Sequence, residues 1–170
     1  MRLRGIGLSS SGAMQKQDCQ PHLRPATNAD GGAVRKMVFD VLREHGLPPD
    51  PEGTDADLAD IEGHYRGGWF AVLEVDGAGI IGSVGLCPLE GAVMELRKMY
   101  LHRDWRGRGL GRRLMECALT EARRLGARKL VLGTAGVLAE AVELYKRFGF
   151  KPSRREHSAT RVDQSWELDL

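Results

Sequence analysis

Apolar positions along this chain recur at two different periods, and the switches between them divide it into elements. Val34, Met37, Val38, Val41 and Leu42 return at three- and four-residue steps and predict a helix running to about His45. Residues 22–26 read as a short strand before it, with Thr27 or Asn28 as the N-cap. Leu47-Pro48-Pro49-Asp50-Pro51 cannot prolong the helix, because proline lacks the N–H and its ring clashes with the preceding turn. Leu58, Ile61 and Tyr65 then predict a second helix over residues 55–65. Strands follow at residues 69–75, 79–87 and 92–102, joined by Asp76-Gly77 and by a turn around Glu90-Gly91, connections short enough for an antiparallel meander. Leu110, Leu114, Ala118, Ala122 and Leu125 mark a helix over residues 109–125, stopped at Gly126. Residues 129–132 form the next strand. Ala141, Leu144, Tyr145 and Phe148 give a helix over 140–148 with Gly149 as its C-cap, and residues 166–170 make a closing strand. The order βααβββαβαβ predicts one α/β domain, a mixed and mostly antiparallel central sheet with helices on both faces.

Composition narrows the classes. A chain of 170 residues is long enough for one domain with a real core, and 42% apolar with 28% charged residues is ordinary for a soluble globular protein. A net charge of +2 is too small to point to nucleic acid or an anionic membrane, and no apolar run approaches the roughly 20 residues that cross a bilayer. Cys19, Cys87 and Cys117 are odd in number and lack disulfide or metal spacing, which fits reduced thiols and a cytoplasmic location. No histidine and carboxylate cluster has ligand spacing, so no metal is expected. In residues 1–18, Arg2 and Arg4 precede only Ile6-Gly7-Leu8, and Ser9, Ser10, Ser11 and Gly12 follow. This stretch reads as a flexible N-terminal extension to a domain over residues 19–170.

The densest chemical signal is Arg106-Gly107-Arg108-Gly109-Leu110-Gly111, set between a strand and the long helix. Three glycines in six residues are costly inside regular structure and make sense where the main chain approaches a ligand closely. A helix N-terminus offers unpaired N–H groups and partial positive charge, so a phosphate is the natural ligand, with Arg106, Arg108, Arg112 and Arg113 adding charge nearby. No Lys-Ser or Lys-Thr follows, which excludes a Walker loop. The preceding strand ends an antiparallel meander, which argues against a dinucleotide fingerprint. For Arg112 and Arg113 a solvated helical face is the competing reading.

Arg106-x-x-Gly109-x-Gly111 after a strand and opening a helix resembles the acyl-CoA signature of the GNAT N-acyltransferase superfamily. Leu23-Arg24-Pro25-Ala26-Thr27-x-x-Asp30 is similar to that family's opening strand and helix. Leu96-Arg97-Lys98-Met99-Tyr100-Leu101-His102 is similar to its fourth strand. Ala141-x-x-Leu144-Tyr145-x-x-Phe148-Gly149-Phe150 resembles its C-terminal helix and following strand. The resemblance covers residues 22–170 and implies a single GNAT-like domain using acetyl-CoA as cosubstrate. It assigns Met99, Tyr100, Leu101, Arg106, Gly107, Arg108, Gly109, Leu110, Gly111 and Arg112 to the cosubstrate. The fourth strand is expected to bulge and splay from the fifth, with the Leu101 N–H as oxyanion donor. Many members carry an asparagine one turn before the tyrosine helix; here residues 134–140 contain none, and Thr134 is the available substitute.

Transfer from a thioester needs an unprotonated amine, and a lysine-like amine of pKa near 10.4 costs about 4.6 kcal/mol to deprotonate at pH 7. Glu95, eleven residues before Arg106, is the candidate base by resemblance, and the competing reading is an ion pair with Arg97 or Lys98. Tyr145 is the matching general acid for the departing thiolate, since a phenol keeps its proton at neutral pH. Cys117 lies beside the apolar stripe of the long helix, where a buried inert thiol is expected rather than a covalent carrier.

Asp50, Glu52, Asp55, Asp57, Asp60 and Glu62 form a run without a base. Such a run is either an anionic wall that concentrates a cationic amine, with His64 and Tyr65 beside it, or a solvated face. The expected activity is therefore acetyl transfer from acetyl-CoA to a primary amine of a small molecule or peptide in a ternary complex, by a monomer or homodimer. A non-catalytic acyl-CoA sensor is the rival, and it would need neither Tyr145 nor Glu95.

Overall fold

A computed structural model of the chain describes residues 20–156 and 159–170. The segment read as a flexible extension, residues 1–18, lies outside the described residues, as does Cys19. Strand β1 (His22–Pro25) leads through a 3-10 turn (Asn28–Asp30) into α1 (Gly31–Glu44). A second 3-10 turn (Ala56–Ala59) and the one-turn helix α2 (Ile61–His64) precede β2 (Trp69–Val75), β3 (Gly79–Pro88) and β4 (Val93–Leu101). Helix α3 (Leu110–Arg124), β5 (Lys129–Thr134), α4 (Ala139–Arg147), β6 (Lys151–Pro152) and β7 (Gln164–Asp169) complete the order. Among the described residues no helix is long and apolar enough to cross a membrane.

One seven-stranded sheet runs β1-β2-β3-β4-β5-β7-β6. Among the described residues only β4 and β5 pair in parallel, and that pairing needs the long crossover supplied by α3. Strand β2 shows why both faces are covered. Phe70 and Val72 point into the cluster built on Val34, Val38 and Leu42 of α1. Leu73 and Val75 point into the cluster built on Leu114, Met115 and Ala118 of α3, which also takes Val142 and Tyr145 of α4. The start of α1 is tied down by Arg24. Its guanidinium donates to both oxygens of Asp30 (2.9 and 2.8 Å) and to Glu74 on β2 (2.6 Å).

The helix expected over residues 55–65 is broken in two. Asp60 leaves the helical region (φ −141°, ψ 76°), and its carboxylate accepts the Gly63 N–H at 3.0 Å. Aspartates compete with a helix by bonding nearby main chain, and this one starts a new turn instead of continuing the old one. Leu58, Ile61 and Tyr65 are buried all the same. Strand β6 was legible only through the resemblance, because two residues ending in Pro152 carry no periodicity, and proline suits an edge strand.

Candidate active site

The site is built where β4 stops obeying the sheet. Ser83 of β3 faces Tyr100 and Gly85 faces Arg97, so Val84 alone stands opposite the two residues Lys98 and Met99. This extra residue is a bulge, and it reverses which side chains face which way along β4. Met94 and Leu96 are buried in the α3 cluster before it, and Met99 and Leu101 pack on that cluster after it. Tyr100 packs on the α1 side. Lys98 takes the left-handed φ of +52° that the bulge demands.

A lysine at such a position needs compensation, and its side chain receives it. Lys98 Nζ lies 2.6 Å from Asp55 Oδ1, 2.8 Å from the Thr54 carbonyl and 3.3 Å from Asp57 Oδ1. Arg161, in the connection before β7, grips both Asp55 oxygens at 2.6 and 2.9 Å. Burial alone would push the Asp55 carboxyl up, but Arg161 and Lys98 outweigh it and hold the group below the usual carboxylate range.

Already ahead of the bulge, after Glu95, β4 leaves β5. The two strands pair only at Val93–Lys129, Met94–Leu130 and Glu95–Val131, although β4 continues to Leu101 and β5 to Thr134. The wedge between them opens into two clefts. One, about 540 Å³, is lined by Met99, Tyr100, Leu101, Arg106, Gly109, Gly111, Arg112 and residues of α4. The other, about 470 Å³, is lined by Glu95, Arg97, Lys98, Thr54, Thr134 and Arg161 among others. Met99, Tyr100, Leu138 and Tyr145 line both, so the clefts meet at the bulge.

The glycine loop opens the first cleft. Gly107 and Gly109 sit at φ 72° and 77°, where side chains are strained, and a Cβ on either would meet nothing within 4 Å. The space in front of this main chain is therefore open to a ligand. The first intrahelical bond is Arg113 N–H to the Gly109 carbonyl (3.1 Å), which leaves the N–H groups of the first turn facing outward at the positive end of α3. This donor set fits a diphosphate. Gly107, Arg108 and Leu110 do not line the cleft. Leu110 packs in the core, and Arg108 stacks 4.8 Å over Trp105.

The arginine charges are less concentrated than the hexapeptide suggested. Arg106 donates from Nε to the Leu101 carbonyl (3.1 Å) and from both terminal nitrogens to Glu44 (2.7 and 3.0 Å). It staples the loop to β4 and to the end of α1. Arg112 pairs with Glu116 and Arg113 donates to the Pro21 carbonyl.

Tyr145 is 5% exposed and packs against Phe150 at 5.8 Å between ring centres. Burial pushes its phenol well up, Tyr100 adds to the rise, and the neighbouring Thr134 side chain pulls the other way. Thr134 itself is buried at the end of β5. Glu95 lines the second cleft with its side chain 21% exposed, and its carboxylate stands 4.0 Å from Arg97 Nε. Lys98, its other expected partner, is committed to Asp55 and Asp57.

The six acids do not make an open anionic wall. Asp55 and Asp57 are buried against Lys98, Arg161 and Arg97. Asp50 caps the N–H groups of Gly53 and Thr54, Asp60 that of Gly63, and Glu62 accepts from the Asn28 N–H. Only Asp50 of the six lines the second cleft. Tyr65 is buried, donating its hydroxyl to Asp57 at 2.6 Å, and His64 is exposed; neither lines a cleft. Cys117 is half-buried rather than fully enclosed. Among the described residues no group of His, Cys, Asp and Glu is arranged to hold a metal ion.

Sequence reasoning offered Lys98 only as a partner for Glu95, not for Asp55 and Asp57, and it did not single out Arg161 or Glu44. A signal existed for the first, since Arg97 and Lys98 put two charges in succession where a strand alternates one side in and one out. Arg161 and Glu44 lie far in sequence from their partners and carried no local signal.

The geometry has counterparts. Residues 35–150 match the family model described as acetyltransferase (GNAT) family. The uncharacterized N-acetyltransferase YjgM of Escherichia coli is 34% identical over 138 residues, 77% of this chain and 82% of that protein. An acetyltransferase of the GNAT family from Staphylococcus aureus Mu50 superposes with a TM-score of 0.83 at 19% identity, covering 89% of this chain and 99% of that one. The yncA protein of Salmonella typhimurium, solved with its cofactor acetyl-CoA, superposes at 0.68 with 24% identity, covering 89% and 94%. The bulged and splayed strand, the glycine loop at the head of α3 and these matches together make the chain a member of the GNAT acetyltransferase family.

Proposed function

We propose that this protein transfers the acetyl group of acetyl-CoA to a primary amine of a small molecule or peptide, by direct attack in a ternary complex. The observation that carries this reading is the meeting of the two clefts at Met99, Tyr100 and Tyr145. Gly109 and the head of α3 hold the diphosphate, which lays the thioester along the bulge. The acceptor enters from the side of Glu95.

Glu95, directly or through a water, takes the proton from the ammonium and leaves the attacking amine neutral. The main chain at Met99 and Leu101 points into the wedge that β5 vacates, and the Leu101 N–H stabilises the oxyanion, a contribution of about 3 kcal/mol for one such donor. Tyr145 donates to the departing sulfur. Its raised phenol is a weaker acid than a free thiol of pKa about 8.5, so complete transfer is uphill by about 2 kcal/mol or more. Tyr145 therefore acts first as a hydrogen-bond donor to sulfur, and the proton moves across as the C–S bond breaks.

The test is calorimetric titration with acetyl-CoA followed by thiol release across a panel of amines. Binding of acetyl-CoA and amine-dependent release are expected. No heat with either CoA or acetyl-CoA removes the reading, and binding without release from any amine replaces the enzyme with a sensor.

A further inference from the structure

Three cations line the acceptor cleft, and they are not equivalent. The Lys98 and Arg161 side chains are 3% and 9% exposed, and both are held by Asp55 at 2.6 Å. The Arg97 side chain is 28% exposed, and its carboxylate contacts are long, 3.8 Å to Asp57 and 4.0 Å to Glu95. These lie outside hydrogen-bond range. Among the described residues its one short bond to an oxygen runs from a terminal nitrogen to the Thr54 carbonyl at 3.2 Å, with the Cys87 thiol also beside it. A guanidinium carries five N–H donors in a planar fork, and the described residues take up only part of this one's capacity. Burial works against its charge, while Asp57 and Glu95 sustain it, and the group stays a cation.

Arg97 and Glu95 stand two residues apart on β4 ahead of the bulge, so they project to the same face into the same cleft. A cation and a carboxylate 4.0 Å apart form a pair of opposite poles. A ligand with an ammonium for Glu95 and an anion for Arg97 satisfies both. An amino acid carries an amine and a carboxylate within a bond or two of each other, and a planar carboxylate matches the guanidinium fork. The cleft, about 470 Å³, suits a small molecule. A polyamine fits worse, because its second ammonium would lie against three cations. Asp50, the other acid lining the cleft, already accepts from Gly53 and Thr54.

We propose that the acceptor is a free amino acid, its carboxylate gripped by Arg97 and its amine presented to Glu95. This rests on the acetyltransferase reading above and narrows its acceptor. Arg97 is a substrate-binding and specificity residue, with no share in the bond changes. In the reaction Glu95 takes one proton from the ammonium, the neutral nitrogen bonds the acetyl carbon as the C–S bond breaks, Tyr145 gives its proton to the departing sulfur, and the nitrogen's second proton restores the tyrosine.

The experiment compares each of a panel of amino acids with its own carboxamide, by thiol release from acetyl-CoA, using the whole chain. The amino acid is expected to exceed its carboxamide at least tenfold in kcat/KM, chiefly through KM. Arg97→Gln is expected to shrink that ratio to within about threefold, with Arg97→Lys intermediate. Acetyl-CoA affinity and the melting curve of each variant show that it is folded. Carboxamides or simple amines used as well as amino acids, no turnover of any amino acid by protein that binds acetyl-CoA, or a ratio unmoved in folded Arg97→Gln would each overturn the proposal. Failure to bind acetyl-CoA at all would instead remove the acetyltransferase reading beneath it.

Discussion

Lys98 Nζ and Asp55 Oδ1 stand 2.6 Å apart in the protein interior, and this pair joins the bulge of β4 to the segment after α1. The contact explains how a non-glycine residue persists at φ +52° in the middle of a strand. With Arg161 on the same carboxylate, three distant stretches of chain meet at one buried point beside the cleft that Glu95 lines. Lys98→Met leaves Asp55 short of a partner, and breaking a buried pair costs about 3–5 kcal/mol. At roughly 2–4 °C per kcal/mol for a chain of this size, the melting temperature should fall by about 6–20 °C. Adding Asp55→Asn to Lys98→Met should cost much less than the sum of the two single changes, because the residues share one network. Additive losses in thermal unfolding would show that the pair does not act as a unit.

Tyr145→Phe keeps the ring against Phe150 and removes only the hydroxyl from the junction of the clefts. Acetyl-CoA affinity should stay within about twofold, and kcat should fall at least tenfold, about 1.4 kcal/mol of transition-state stabilisation. Steady-state kinetics with calorimetry on the same preparation separates the two effects. An unchanged kcat would take Tyr145 out of the reaction. Leu101→Ala is a poor companion test, because it leaves the main-chain N–H in place.

Gly109→Ala places a side chain on a residue at φ 77°, where the cost is backbone strain, since open space lies ahead of the Cβ. Stability should drop by about 1 kcal/mol. The larger effect should be on the cosubstrate, with Kd for acetyl-CoA rising at least tenfold as the methyl enters the diphosphate's approach. Gly126→Ala, at φ 82° past the end of α3, is the control with similar strain far from the loop. Equal acetyl-CoA affinity in the two variants would argue against a cradle at Gly109.

The distribution of what was legible follows from the range of the interactions. Helix and strand periods are local, so β2, β3, β4, α1, α3 and α4 could be read to within a residue or two. The glycine loop was visible because backbone conformation is encoded locally. The break at Asp60 was missed, since the apolar positions Leu58, Ile61 and Tyr65 keep helical spacing across it. The acid run, open between an anionic wall and a solvated face, could not be resolved for a related reason, and two of its members are buried. The partners of Asp55, Lys98 and Arg161, lie 43 and 106 residues away, so local charge counting saw six like charges where the fold gives five of them caps or pairs. Glu44 is likewise 62 residues from Arg106.

That Glu44–Arg106 pair yields a prediction of another kind. The guanidinium hydrogen-bonds hold the Glu44 carboxyl below its ordinary value, yet both side chains are partly exposed, at 30% and 21%. Pairs of this sort contribute about 0–1 kcal/mol to stability. Glu44→Ala should therefore move the melting temperature by no more than about 4 °C. It frees Arg106 and loosens the loop against α1, so Kd for acetyl-CoA should rise about three- to tenfold with kcat nearly constant. A large melting shift with unchanged affinity would make the pair structural only.

The acid response of stability tests the buried network from a different direction. Asp55 titrates below the usual carboxylate value in the folded protein, because Arg161 and Lys98 override the burial that would raise it. A depressed folded pKa adds stability above the unfolded value near 3.9, and that stability is lost as pH falls through the folded value. Asp30 and Glu44 shift the same way, held down by Arg24 and Arg106. Melting temperature should thus be nearly level between about pH 5 and 7 and fall steadily below about pH 4. Asp55→Asn has no carboxyl at this position to protonate, so its curve should start lower and decline less steeply than that of the parent protein. Parallel curves for Asp55→Asn and the parent protein would show that Asp55 carries no depressed pKa, and the electrostatic account of the Lys98 bulge would then lack its anchor.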